Sequence, residues 1–128
     1  MAGSIKFDYD KKNDITIATP HWHIVDENDC EVWYKQWIDY LKFSSRKMDF
    51  IMVLDDFKVD SAIASVWGEY RAKINKEYIR HGYRVNPELS VSIYIKTSGI
   101  RYNAASSEAA SIEDAIEAIN AARAAENK

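Results

Sequence analysis

Polar and apolar positions alternate at the start of the chain. Ile5, Phe7 and Tyr9 interleave with Lys6, Asp8 and Asp10, and Ile15-Thr16-Ile17-Ala18-Thr19 repeats the alternation after Lys11-Lys12-Asn13-Asp14. A period of two sends neighbouring side chains to opposite faces of a strand, and turn residues between two such runs predict a hairpin over 5–20. Pro20 ends its second strand or marks an edge. The period then lengthens. Cys30, Trp33, Tyr34, Trp37, Ile38 and Leu41 recur at spacings of three and four, which predicts an amphipathic helix over about 29–42. Asn28 is its expected N-cap, with Glu31 three residues on as in a capping box. Phe50-Ile51-Met52-Val53-Leu54 has no polar interruption. Such a run predicts a central strand over 49–54, covered on both faces.

A second helix is expected from Asp60 or Ser61 to about Ile79, on the stripe Ile63, Val66, Trp67, Tyr70, Ile74 and Tyr78. Lys76, Arg80, His81 and Arg84 suit its negative end, and Gly82 stops it. Over 89–97, Val91, Ile93 and Ile95 alternate with Ser90, Ser92, Tyr94 and Lys96, which predicts a strand. Ser98-Gly99 reads as a turn and 100–102 as one more short strand. Residues 103–110 carry no assignable pattern. Ser111, with Asp114 three residues on, caps a final helix whose stripe is Ile112, Ala115, Ile116, Ile119 and Ala122. Residues 1–4 and 124–128 are expected to be flexible. The expected fold is α/β: one domain over 1–128, with a four- to five-stranded mixed sheet and three main helices in the order β-β-α-β-α-β-(β)-α, the helices mainly on one side.

A length of 128 residues fits a single core. Hydrophobic content of 47% and charged content of 29% exclude general disorder. No apolar run approaches the roughly 18 residues of a membrane helix. The opening Met1-Ala2-Gly3-Ser4-Ile5-Lys6 lacks the apolar block of a secretory signal. Cys30 is the only cysteine and forms no internal disulfide. Together these predict a cytoplasmic protein with no transmembrane segment. With 17 Lys and Arg against 20 Asp and Glu, the chain lacks the basic excess of a nucleic-acid binder. Four Trp and eight Tyr predict an aromatic core with an adhesive surface. They also open the alternative of a small hydrophobic ligand or lipid held between the sheet and the aromatic helices.

Candidate chemistry is sparse. Ser61 follows the central strand by a short loop and sits at a predicted helix start, where exposed N–H groups and the dipole favour an anion such as a phosphate on its hydroxyl. The competing reading makes Asp60 or Ser61 an ordinary N-cap. Asp55 and Asp56 lie at the carboxyl end of the central strand. There they form either a Mg²⁺-binding or proton-sharing pair, the basis of a small-enzyme alternative, or a solvated loop. His21 and His23 share a strand face and are weak metal candidates beside an aromatic Trp22, since a zinc site takes three or four ligands. Cys30 falls on an apolar helix face, as a structural thiol does. Arg71, Lys73, Lys76, Arg80, His81 and Arg84 form either a surface for an acidic partner or anionic lipid, or a solvated face. No Walker loop, nucleotide-binding glycine motif, Gly-x-Ser-x-Gly or His-Glu-x-x-His is present, and no cofactor is implied.

The element order, with the stretch Ile51-Met52-Val53-Leu54-Asp55-Asp56-Phe57-Lys58-Val59-Asp60-Ser61-Ala62-Ile63, resembles the STAS domain of bacterial anti-sigma-factor antagonists and sulfate-transporter tails. In that family a strand pair leads into a helix, and a buried strand then runs into an Asp-Ser-Ser-Gly-like motif at the next helix. Asp60-Ser61 matches the first half of that motif, while Ala62 and Ile63 replace the second half. Ser111-Ile112-Glu113-Asp114-Ala115-Ile116-Glu117-Ala118-Ile119 looks like the closing helix. The loop before the second helix is shorter than the family's, and the helix between the last two strands is reduced or missing from this reading. The divergent, lipid-pocket-bearing branch of the fold is a further comparison. The resemblance implies a non-catalytic regulatory module that binds a protein partner, with a homodimer as a further expectation. Asp55, Asp56, Asp60, Ser61 and Trp67 would form its contact surface, and Ser61 would be its phosphorylation site.

Overall fold

The opening alternation folds as expected. In a computed structural model, which describes residues 3–104 and 106–127, β1 (Ser4–Asp10) and β2 (Ile15–Ile24) pair antiparallel around a turn in which Asp14 has a positive φ of 53°. Strand β2 does not stop at Pro20. Beside it run β3 (Met48–Val53) and then β4 (Phe57–Val59), both parallel. Pairing to β3 last registers at Ala18↔Met52 and pairing to β4 begins at Trp22↔Phe57, with one extra residue on the β3–β4 side. Pro20 falls in this gap, where a strand needs no N–H donor on that side. Opposite it, the Ile5 N–H donates to Gln36 Oε1 at 3.0 Å.

Helix α1 (Glu27–Leu41) starts two residues earlier than the spacing predicts, because the Asp26 carboxylate accepts from the Asp29 N–H at 2.8 Å and displaces Asn28 as the cap. Strand β3 leads through β4 and a 3-10 turn (Ser61–Ile63) into α2 (Ala64–Tyr78). The chain then enters β5 (Ile79–Val85) directly, so Gly82 lies inside a strand. Residues 89–102 form a helix, α3 (Leu89–Tyr102), where alternation predicted strand, turn and strand. Asn103 ends it in the left-handed conformation, with φ 53°. The unassigned stretch holds β6 (Ser107–Ala109), with residue 105 outside the described residues. Ser111 caps α4 (Ile112–Glu126) through the Asp114 N–H, as its spacing predicts. Ser4 and residues 124–126, expected to be flexible, belong to regular elements, while residues 1, 2 and 128 lie outside the described residues.

The result is a mixed six-stranded sheet in the order β1-β2-β3-β5-β6, with β4 on the far end of β2 and four described helices rather than three. Strand β3 lies between two parallel neighbours, and its two faces enter different cores. Phe50 joins Ala18, Trp22, Trp33, Trp37, Trp67, Val91 and Ile95 under α1, α2 and α3. Ile51 joins Ile15, Val85, Ala115 and Ile119 under α4 alone.

Buried Asp49 locks α4 to the sheet. Its carboxylate accepts from the His81 N–H at 3.0 Å and the Arg123 Nε at 2.8 Å, and lies 2.8 Å from the His81 Nδ1. The His81 Nε2 is 2.8 Å from Glu126 Oε1, and Arg80 pairs with the same carboxylate group. Arg123 also donates to the carbonyls of Asn13 and Asp14, both at 2.6 Å.

Removing one member of a buried ion pair strands the other. Asp49→Ala is therefore expected to lower unfolding free energy by about 3–5 kcal/mol in urea denaturation, and a loss under about 1 kcal/mol, the value of an exposed pair, would contradict the lock. Three carboxylates are held below the usual range: Asp10 by the Asn13 side-chain amide, Asp14 by the Tyr9 hydroxyl and then Arg46, and Glu126 by the His81 ring and then Arg80. Each binds a proton less readily folded than unfolded, so its contribution is present above the unfolded carboxylate pKa of about 4 and is lost as pH falls further. Thermal melts of wild type should fall more steeply below about pH 4 than those of a D10N/D14N/E126Q variant. Parallel curves would remove these groups from the acid response.

Candidate functional site

The exit of β3 is fixed by its neighbours. The Leu54 N–H donates to the Val85 carbonyl at 2.9 Å, and the chain turns at Asp55-Asp56 before β4 resumes beside β2. The Trp22 N–H donates to the Asp56 carbonyl at 3.1 Å, and the Asp60 N–H donates to the Ile24 carbonyl at 2.8 Å. With its backbone anchored at both ends, the loop presents Asp55, Asp56, Asp60 and Ser61 to solvent.

The loop lies between two concavities. On one side Asp56, His21, His23 and Lys58 border a shallow depression of about 410 Å³. His21 and His23 share an exposed face of β2, as alternation predicts, and the His21 Nδ1 lies 3.0 Å from Asp56 Oδ2. No group of three metal-capable side chains exists among the described residues. Asp55 and Asp56 are both exposed, and Asp56 stands beside His21.

On the other side Ser61 lines a groove of about 370 Å³ between α2 and α3, with Ser65, Gly68, Ile93, Tyr94 and Arg101 among its walls. Ser61 belongs to the 3-10 turn rather than to α2 proper, and the Asp60 side chain makes no cap hydrogen bond. The expected anion-receptive helix start is thus absent at Ser61, and what remains is an exposed hydroxyl at a groove. Gly68 permits the two helices to meet there: a Cβ at residue 68 would come within 2.9 Å of the Ser98 Cβ. Arg101 was missed by sequence reasoning because 100–102 was read as a strand. The usable signal was the helical spacing of Val91, Ile95 and Ser98, all buried.

Two expected surface features are interior. Trp67 is fully buried, with its ring centroid 5.5 Å from both Trp33 and Phe57, and so belongs to the core rather than to a contact surface. Arg71 and Arg84, assigned by spacing to the basic flank of the second helix, are buried too, and Arg84 lies in β5. Arg71 donates to Ser98 Oγ at 3.0 Å and to the Ala104 carbonyl at 2.5 Å. Burial, and then Arg84, lower its pKa to about 10. The Arg84 Nε lies 3.3 Å from Glu108 Oε1. Between the sheet and the aromatic helices, where a ligand pocket was an alternative, the cavity beside Trp33, Trp37 and Arg71 is about 20 Å³, room for a single water. The aromatic rings occupy the space themselves.

Cys30 is buried, and burial followed by the nearby Asp29 and Glu27 pushes its thiol up to about 11. Only thiolate reacts with a disulfide reagent. Native protein at pH 8 should therefore be labelled by such a reagent at least roughly a hundredfold more slowly than protein unfolded in denaturant; equal rates would place the thiol at the surface. No described helix is long and apolar enough to cross a membrane. Compared with models of known protein families and with curated proteins, the chain matches none.

Proposed function

We propose that the chain is a non-catalytic, STAS-like protein-interaction module that meets its partner through residues 55–61 and the start of α2. One observation carries this reading. A strand buried on both faces ends in a loop whose backbone is pinned to β2 and whose Asp55, Asp56, Asp60 and Ser61 side chains all face solvent. Rigid backbone under exposed polar side chains is the pattern of a recognition loop. The element order supports the family comparison apart from the short β4 inserted after the buried strand: strand pair, helix, buried strand, β4, helix, strand, helix, strand and closing helix. The helix between the last two strands, missing from the sequence-based reading, is α3. Control by phosphorylation of Ser61 and a cytoplasmic setting belong to the same proposal. Ser61 is exposed, and a phosphate there would add about −1.5 to −2 charges to the contact surface.

The test is affinity capture with the full chain as wild type, Ser61→Ala, Ser61→Asp and Asp56→Ala. A partner held by wild type and Ser61→Ala is expected to be lost by about tenfold or more with Ser61→Asp, since a new charge in a desolvated contact costs several kcal/mol. Equal recovery across all four proteins would remove this loop as the contact surface.

A further inference from the structure

The α2–α3 groove has a one-sided charge pattern. Arg101 is the only charged residue among its described walls, and no Asp or Glu lines it. The Arg101 Nη1 donates to Ser65 Oγ at 3.2 Å. Behind the groove wall, Ser98 is buried and accepts from the Arg71 Nε, and the Arg71 guanidinium is hydrogen-bonded by hydroxyl and carbonyl oxygens alone. Among the described residues neither guanidinium has a carboxylate within 4.0 Å. Arg101 is therefore an unmatched cation at the groove wall, with buried Arg71 one layer behind it at Ser98, in a chain whose net charge is −3. The remaining lining is apolar or hydroxylated: Ala64, Gly68 and a half-exposed Ile93, with Ser61, Thr97 and two tyrosines. A volume near 370 Å³ is that of a small-ligand site.

We propose that this groove binds a small amphiphilic anion. Its carboxylate or phosphate-monoester head is held by Arg101 with the hydroxyls of Ser65 and Ser61, and its apolar part lies along Ala64, Gly68 and Ile93. Guanidinium hydrogen bonds to an oxyanion are charge-assisted, and the field of buried Arg71 adds to them without a competing acid. The site does not rest on the interaction-module reading, and the two fail separately.

The test is calorimetric titration of the full chain with octanoate, octyl phosphate and octanol, each below its aggregation limit, with amide chemical shifts to map the site. Both anions are expected to saturate, and octanol is expected to bind about tenfold or more weakly. Arg101→Gln should weaken both anions by about tenfold or more and leave octanol unchanged, as expected for loss of a charge-assisted bond. Ser65→Phe should block all three ligands while its melting temperature stays near wild type. Amides of residues 61–68 and 93–102 should shift, and the tighter anion identifies the head group. Absence of saturable anion binding, equal affinity in Arg101→Gln, or shifts mapping to another face would each overturn the proposal.

Discussion

Trp33 ties the layers of this protein together. Its ring meets Trp67 of α2 at 5.5 Å and Trp37 of α1 at 5.9 Å, and Trp37 continues to Phe50 of β3 at 5.2 Å and Phe7 of β1 at 5.1 Å. Trp67 extends the chain of rings to Phe57 of β4. Edge-on and tilted ring contacts of this kind add about 0.5–1.5 kcal/mol each beyond the area they bury. Because residues 55–61 are attached to this column through Phe57 within the segment and Trp67 of the helix that follows it, the position of the segment follows from the packing of these rings. The same packing explains why an aromatic-rich chain has almost no void beneath its helices. Room for a ligand arises instead where α2 offers Ala64, Ser65 and Gly68 to α3, since small side chains leave space that indoles do not.

Much of the architecture was legible wherever one face of an element is wet. Strands β1 and β2 and helices α1 and α4 show the period that their burial requires, while β3, covered on both faces, shows an uninterrupted apolar run. Helix α3 was not legible, for a physical reason. Leu89, Ile93 and Ile100 point outward with 78%, 50% and 87% of their surface exposed, while Val91 and Ile95 point inward. Apolar residues on both sides of a helix produce every-other-residue alternation, and β-branched composition reinforces the strand reading. Strand β5 was hidden by the opposite effect. Its Arg80, His81 and Arg84 look like the charged end of a helix, yet each is paired with a partner distant in sequence: Glu126, Asp49 and Glu108.

The candidate surface divides along the same line. The acidic loop and Ser61 were readable, because they need only the strand before them and the helix after. The groove was not, since Arg101, Tyr94 and Tyr102 face it only if residues 89–102 are helical. Trp67 was misplaced because amphipathic spacing identifies an apolar stripe without saying whether a further helix covers it, and α3 covers α2.

Arg123 reaches back across about the whole chain to the carbonyls of Asn13 and Asp14, and α4 alone screens Ile15, Ile51 and Val85 from water. A nascent polypeptide leaving the ribosome would therefore expose one oily side of its sheet until this last described helix emerges. Every strand is made before its cover. Closure of that side waits on contacts as far apart in sequence as Arg123 and Asn13, which are slow to find.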